Sequence, residues 1–372
     1  MSKLQELIKE LCPDGVEFRK LGEVCEILDS KRQPIAKGKR IPGKYPYYGA
    51  NGVQDYVDNY IFDGVFLLVG EDGSVINKDN SPVLNWAVGK IWVNNHAHIL
   101  AEKYCCNLRY LYFILQVTNV SKIVRGMPPK INQENLINIE IPLPPLEVQN
   151  EIVRILNAFT AHTAELQAEL QARKEQYEYY RNKLLTFDEN DEGVKWMKLG
   201  EIYDMKAGKS IPASEISSVK TEEFQYPCYG GNGLRGYVSI FNQEGEKVLI
   251  GRQGALCGNV CFAENLFYAT EHAVVVSDKG YCLPRYSFYL LTMMDLNQYK
   301  TAGAQPGLSV SRLEKISIPV PPLSEQKRII SILDKFESLV NDLSEGLPAE
   351  IAAVQEQYEY YRNKLLTFKR KS

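Results

Sequence analysis

Thirteen residues at 175–187, EQYEYYRNKLLTF, return without a change at 356–368. Identity over that length does not arise by chance, so the chain is built from two versions of one unit. Ahead of each copy lies a second matched stretch: 141–159 reads IPLPPLEVQNEIVRILNAF and 318–336 reads IPVPPLSEQKRIISILDKF. Prolines fix the backbone and cannot continue a preceding element, so each stretch predicts a fresh start followed by a helix. In the second copy Ile329, Ile332, Phe336, Leu339, Leu343, Leu347, Ile351, Val354, Tyr358, Tyr361 and Leu365 recur at steps of three and four, which is the seam of a coiled coil. The first copy keeps the seam at Ile152, Ile155, Phe159, Leu166, Leu170, Tyr177, Tyr180 and Leu184, with His162 and Arg173 on or near it. A helix of about forty residues rises about 60 Å, more than a compact domain needs, which suggests a strut that sets a distance.

The stretches between these helices repeat more loosely. FRKLGEVCEI at 18–27 answers WMKLGEIY at 196–203, each reading as a strand or turn that enters a domain. YPYYGANGVQDY at 45–56 answers YPCYGGNGLRGY at 226–237; glycine and asparagine set among aromatics predict tight turns between short strands. VFLLVGEDG at 65–73 answers VLIGRQG at 248–254, a buried strand ending in a glycine-flanked loop. RYLYFIL at 109–115 and RYSFYLL at 285–291 suit a buried helix, and GMPP at 126–129 answers GAQP at 303–306. Spacing between matched residues drifts between 176 and 181, so insertions and deletions fall in loops while the fold is shared. The expected fold class is α+β: two similar globular domains of mixed β-sheet with helices, joined by two long antiparallel coiled-coil helices in a pseudo-twofold repeat. The expected boundaries are 1–140 and 188–317 for the domains, and 141–187 and 318–372 for the helices. Over the interval before the thirteen-residue copy the second helix is four residues longer, and its Gly346 and Pro348 should bend or loosen it.

A catalytic reading finds no site. The sequence has no Walker A loop, no G-x-G-x-x-G after a strand, no H-E-x-x-H and no nucleophile elbow. Pro128-Pro129 lacks the Asn or Asp before it and the aromatic after it that an amino-methyltransferase tetrapeptide would have. His96 and His272 hold equivalent places but read as structural or loop histidines, since neither has a shared nucleophile or carboxylate partner in the sequence. Eight cysteines show no framework common to both halves, and the Cys257–Cys261 spacing alone does not make a zinc site. No apolar run is long enough for a membrane span, and the first residues have no signal-peptide layout, so a cytoplasmic location with no membrane partner is expected.

A net charge of -3 argues against a protein that coats nucleic acid indiscriminately, but the charge is unevenly spread. The segment 31–44 carries Lys31, Arg32, Lys37, Lys39, Arg40 and Lys44 without one acid, which suits contact with a phosphate backbone; Lys206 and Lys209, with Lys220, are weaker equivalents in the second half. The glycine turns are readable as plain hairpin corners or as ligand-facing loops. In the second reading Tyr48, Asn51, Tyr229, Asn232 and Arg235 face the ligand, because amide and guanidinium groups pair bidentately with purine edges. Arg252 and Gln253 suit major-groove contacts, and their counterparts Glu71 and Asp72 could accept from cytosine amino groups. Such a difference fits two units that read different sequences.

The two proline starts, PPLEVQNEIVRIL and PPLSEQKRIISIL, with the two RNKLLTF segments, resemble those of the specificity subunit of type I restriction-modification systems. The resemblance spans essentially the whole chain, and the TAEL and QAEL tetrapeptides at 163–170 look like the repeats some of these subunits carry in their central helix. It implies two target-recognition domains, each reading one half of a split double-stranded DNA site, and helices that fix the gap and dock two modification subunits. It also implies that the chain is noncatalytic and carries no cofactor or metal. S-adenosylmethionine, ATP and magnesium would then sit on the modification subunits and on the restriction or motor subunits. The competing reading from another class is a coiled-coil interaction module or an inhibitor of such a complex; a self-contained nuclease is discounted by the missing motifs.

Overall fold

The computed structural model describes residues 3–254, 256–301, 306–341 and 346–371. It divides into two compact units, one formed by Met1–Leu166 with Ile351–Ser372 and the other by Gln167–Glu350. Each unit therefore takes one globular domain, half of the forty-residue central helix Leu146–Leu185, and a helix from the distal part of the chain.

In the first unit the strands are β1 (Phe18–Lys20), β2 (Glu26–Ile27), β3 (Pro42–Gly49), β4 (Gly52–Val57), β5 (Phe62–Gly70), β6 (Leu84–Val93), β7 (Ala97–Ala101) and β8 (Glu140–Pro142). Six form one sheet in the order β2-β7-β5-β6-β3-β4, and β1 pairs with β8. The end of β5 (FLLVG) and β7 (AHILA) are apolar and nearly all buried, as expected of strands covered on both faces. Helix Leu108–Gln116 packs on this core; Asn107 caps it by accepting from the Arg109 and Tyr110 amides. The chain's far end returns here: the Val16 amide donates to Lys369, the Lys371 amide donates to Val16, and Leu366 joins the core with Val148, Ile152 and Leu156 of the central helix.

The second unit repeats this plan with β9 (Lys195–Lys198), β10 (Tyr203–Ala207), β11 (Tyr226–Gly230), β12 (Gly233–Val238), β13 (Gln243–Glu244), β14 (Lys247–Gly251), β15 (Val260–Ala263), β16 (Leu266–Ala269), β17 (Ala273–Asp278) and β18 (Ser317–Val320). The orders are β10-β17-β14-β15, β12-β11-β16-β13 and β18-β9. One long strand of the first unit, β6, becomes two here, because Asn265 takes a left-handed conformation (φ 61°) between β15 and β16 and breaks the ladder. The parallel pairing survives in both: Tyr47 and Tyr48 lie against Trp92 and Val93, Cys228 and Tyr229 against Tyr268 and Ala269.

The proline starts have a physical explanation that the sequence does not show. Gln149 and Gln326, three residues into their helices, are fully buried. The Gln149 side chain donates to the Pro144 and Cys105 carbonyls and accepts from the Asn107 amide; Gln326 donates to Pro321 and Tyr281 and accepts from Leu283. Each glutamine thus ties its long helix to the start of the domain's buried helix. Tyr110 and Tyr286 donate to the Pro142 and Pro319 carbonyls and hold the same junction from the other side.

Within 318–372, where Gly346 and Pro348 are expected to bend or loosen the distal helix, helix is described in two stretches, with Gly346 in neither. The first runs from Leu323 to Asn341 and the second from Leu347 to Leu365; Leu343 of the expected seam lies outside the described residues, as do residues 303–305 of the GAQP match. Pro348 falls in the first turn of the later helix, where a missing N–H leaves no bond unmade. The seam also shifts: Leu333 and Val340 are buried, whereas the expected Leu339 is 37% exposed. Ring pairs mark the seam within each unit, with Phe159 stacked on Tyr361 at 5.6 Å and Tyr180 on Phe336 at 5.5 Å, both at 26°.

Candidate nucleic-acid interface

In both units three segments meet at one end of the sheet. The first is the two-residue turn closing β3–β4 (Ala50, Asn51) or β11–β12 (Gly231, Asn232), followed by Gly52 or Gly233 at φ near +100° or +90°. The second is the loop after β5 or β14, and the third precedes the proline start. Their backbones bond in the same way. The Glu71 and Arg252 amides donate to His96 and His272 at 2.9 Å, and their carbonyls accept from Ile131 and Leu308 at 2.8 Å. Gly73 and Gly254 donate to Pro129 and Pro306 at 2.9 and 3.0 Å. In the second unit a Cβ on Gly251 would lie 1.9 Å from the Gly231 carbonyl oxygen, so glycine is what lets turn and loop touch.

The side chains on this shared frame differ. In the first unit Glu71 and Asp72 are not available as acceptors for cytosine. Arg32 bonds the Glu71 carboxylate, Lys130 reaches its other oxygen at 3.0 Å, and His98 Nδ1 lies 3.7 Å away. Burial alone would raise the Glu71 carboxyl, but the bonds from Arg32 and Lys130 outweigh it and hold it below the ordinary value. Asp72 meets His96 Nδ1 at 2.5 Å. His96 thus has a carboxylate partner and His272 a different one, Glu271 at 3.4 Å, so the two equivalent histidines share no partner.

Arg32 is likewise no phosphate contact. Only 14% of its side chain is exposed, and besides Glu71 it donates to the Asp29 and Ala97 carbonyls. Asp29 and His98 complete this cluster and were invisible in the sequence, where each stands alone among unrelated residues. His98 is fully buried, with Nε2 donating to the Ile131 carbonyl at 2.8 Å and Nδ1 2.6 Å from Asp29. Asp29, Glu71 and His98 place ligand atoms within 4.8 Å of one another, the one such metal-compatible group among the described residues. Arg32, Lys130 and the Ile99 amide already occupy those carboxylate oxygens, so the group reads as a closed ion cluster.

Arg40 is committed too: it stacks on Tyr47 at 4.2 Å, pairs with Asp55 at 3.3 Å and donates to the Ile35 carbonyl. Lys206 pairs with Asp204 at 2.6 Å. Tyr48 and Tyr229, each partly buried, pack against the apolar layers beneath the turns, Tyr229 edge-on to Phe267 at 5.7 Å, and so support the turns. What remains on the surface without an ion pair, among the described residues, is Lys31, Lys37, Lys39, Lys44 and Asn51 in the first unit and Lys209, Asn232, Arg235 and Gln253 in the second, with half-buried Arg252 beside them. The second unit also opens a cavity of about 690 Å³ between turn and loop, lined by Asn232, Leu234, Arg235, Gln253 and His272.

Comparison with known proteins places this architecture. The family model described as the type I restriction modification DNA specificity domain matches residues 13–176 and again 191–353. A candidate type I restriction enzyme specificity subunit of Haemophilus influenzae is 38% identical over 381 residues, covering 95% of this chain and 96% of the relative. The EcoprrI specificity subunit of Escherichia coli is 51% identical over 204 residues, 54% of this chain and 51% of that one. The crystal structure of a type I restriction-modification S subunit from M. genitalium shares the fold, with a TM-score of 0.64 at 18% identity over 95% of this chain and 96% of that one. The chain belongs to the type I restriction-modification specificity family. No helix among the described residues is long and apolar enough to cross a membrane.

Proposed function

We propose that this chain is the noncatalytic, cytoplasmic DNA-reading subunit of a type I restriction-modification complex, and that each unit presents its turn-and-loop face to one half of a split double-stranded site. The observation that carries this is a contrast within one repeat. On a shared backbone frame that keeps its glycines, Asn51 and Asn232, and His96 and His272, the loop side chains differ at Gln54 and Arg235, Glu71 and Arg252, Asp72 and Gln253, and Lys130 and Gly307, while the thirteen-residue helix segment is identical even where it meets solvent. Glu178, Tyr179, Asn182 and Lys183 are exposed, and so are Glu359, Tyr360, Asn363 and Lys364. Tyr179 and Tyr360 are 60% and 59% exposed, each with a lysine over its ring at 5.8 and 5.5 Å. A core requires identity only at buried positions. Identity at exposed ones fits two equal surfaces for two copies of one partner, and exposed tyrosine is the side chain suited to anchor such a contact. The partner is a modification subunit, which would hold S-adenosylmethionine; ATP and magnesium belong to the motor subunits. Lys31, Lys37, Lys39 and Lys44 hold the phosphate backbone.

The test compares the methylation pattern of DNA in cells that express this chain with its modification partner against cells lacking only this chain. A split adenine-methylated motif that disappears with the chain is expected; a pattern indifferent to the chain refutes the reading. Deleting Gln167, Ala168, Glu169 and Leu170, about one turn of the central helix, is expected to change the spacing in that motif by one or two base pairs. Tyr360→Glu is expected to lower the co-purifying modification subunit from two copies to one, leaving the site at Tyr179 filled.

A further inference from the structure

The cavity of the second unit has donors without acceptors. Among the described residues the side chains of Arg235 and Arg252 make no hydrogen bond or ion pair, although other arginine side chains of the same unit are held by carboxylates: Arg285 by Asp334 and Glu337, Arg328 by Glu325. The stem of Arg235 passes over Gly230, so its head stands at the cavity. Two atoms of the neighbouring loop, His272 Nδ1 and Glu271 Oε2, are buried without a partner. At the equivalent place in the first unit His96 Nδ1 is closed off by Asp72. The position equivalent to Arg235 is there Gln54, whose amide oxygen already accepts from Asn94 at 3.3 Å.

A guest for this cavity must bring acceptors in a plane that suits a guanidinium fork. A phosphate needs only charge, which exposed Lys209 supplies outside the cavity, and the Glu271 carboxylate beside His272 disfavours an anion. A guanine fits: its major-groove edge offers O6 and N7 side by side to one arginine. Resting on the DNA-reading function above, we propose that the second unit reads a guanine through Arg235, and that the first unit, with Gln54 at that place, has no equivalent guanine contact.

Once the methylated motif is mapped, the complex of this chain with its modification subunit is tested for binding to duplexes carrying that motif, in which each guanine is replaced in turn by 7-deazaguanine. This change removes N7 and leaves base pairing intact. The expected result is that one position, in one half-site only, weakens binding by roughly tenfold. Arg235→Gln should bind both duplexes alike and relax that single position of the methylated motif. Arg235→Lys, which keeps the charge and loses the fork, should relax the same position with the salt dependence of binding retained. If wild type and both variants show the same 7-deazaguanine sensitivity and the same motif, the guanine assignment is overturned while DNA reading stands. If no motif depends on the chain, the functional reading fails instead. A drop in thermal stability in Arg235→Gln is controlled by the lysine variant, which keeps the charge; unchanged discrimination in Arg235→Gln would itself refute the proposal.

Discussion

At 71–72 the first unit carries two carboxylates, and at the matching 252–253 the second carries a guanidinium and an amide, on backbones whose hydrogen bonds agree to within 0.1 Å. In the first unit the charges face inward: Asp29, Arg32, Glu71 and Lys130 neutralise one another beside His98, and Asp72 is held by His96. In the second, Gly307 stands where Lys130 would be, and the arginine side chains stay unpaired among the described residues. Charge at a given loop position thus serves stability in one copy and is free for recognition in the other. The frame sets where a side chain starts, and its neighbours decide whether it reaches solvent.

The largest expected effect comes from breaking the inward cluster. Arg32→Ala leaves two nearly buried carboxylates short of a partner and should destabilise the first unit by about 3–5 kcal/mol in chemical denaturation. Arg252→Ala should change stability by no more than about 0.5 kcal/mol; equal losses would erase the contrast. Next come the shared glutamines. Gln149→Ala and Gln326→Ala each remove three buried bonds and should each cost about 2–4 kcal/mol, alike in the two units because the frame is common to both. Acid gives a smaller and one-sided effect. The Glu71 carboxyl is depressed in the folded state, so its contribution is full above the ordinary value of 4.5 and is lost as pH falls through the lower folded value. Hydrogen exchange in acid should accordingly show 71–73 and 130–131 opening before 252–254 and 307–308. The smallest change is expected from Lys39→Ala, which should leave stability unaltered, weaken binding to every DNA sequence alike, and lower the slope of log affinity against log salt by about 0.9.

The repeat, the proline starts, the glycine turns and the buried helices were all legible, because each rests on chemistry within a few residues: a fixed φ, an apolar period, a left-handed glycine. Partnership across the chain was not. Arg32 and Glu71 are 39 residues apart and Asp29 and His98 are 69 apart, and nothing local to any of them signals the pairing. Hence a run of six cations read as one basic patch, although two of its members, Arg32 and Arg40, are committed to carboxylates and rings. The motif glutamines were visible as letters, yet their role depends on carbonyls 44 and 45 residues away. The division of β6 into β15 and β16 was missed because Asn265 is an ordinary asparagine until the register around it is known.

The way the first unit is closed bears on how the protein is made. Its core needs Leu366 and the packing of Tyr358, Leu365 and Phe368, residues encoded after the whole of the second unit, whereas the second unit, Gln167–Glu350, is one unbroken segment. On the ribosome the usual order is therefore reversed: the later-encoded half can finish folding first, and the apolar stripe of Val148, Ile152 and Leu156 stays uncovered until the segment after Glu350 has emerged. A product cut after Glu350 would lose the first-encoded half of the molecule and keep the second.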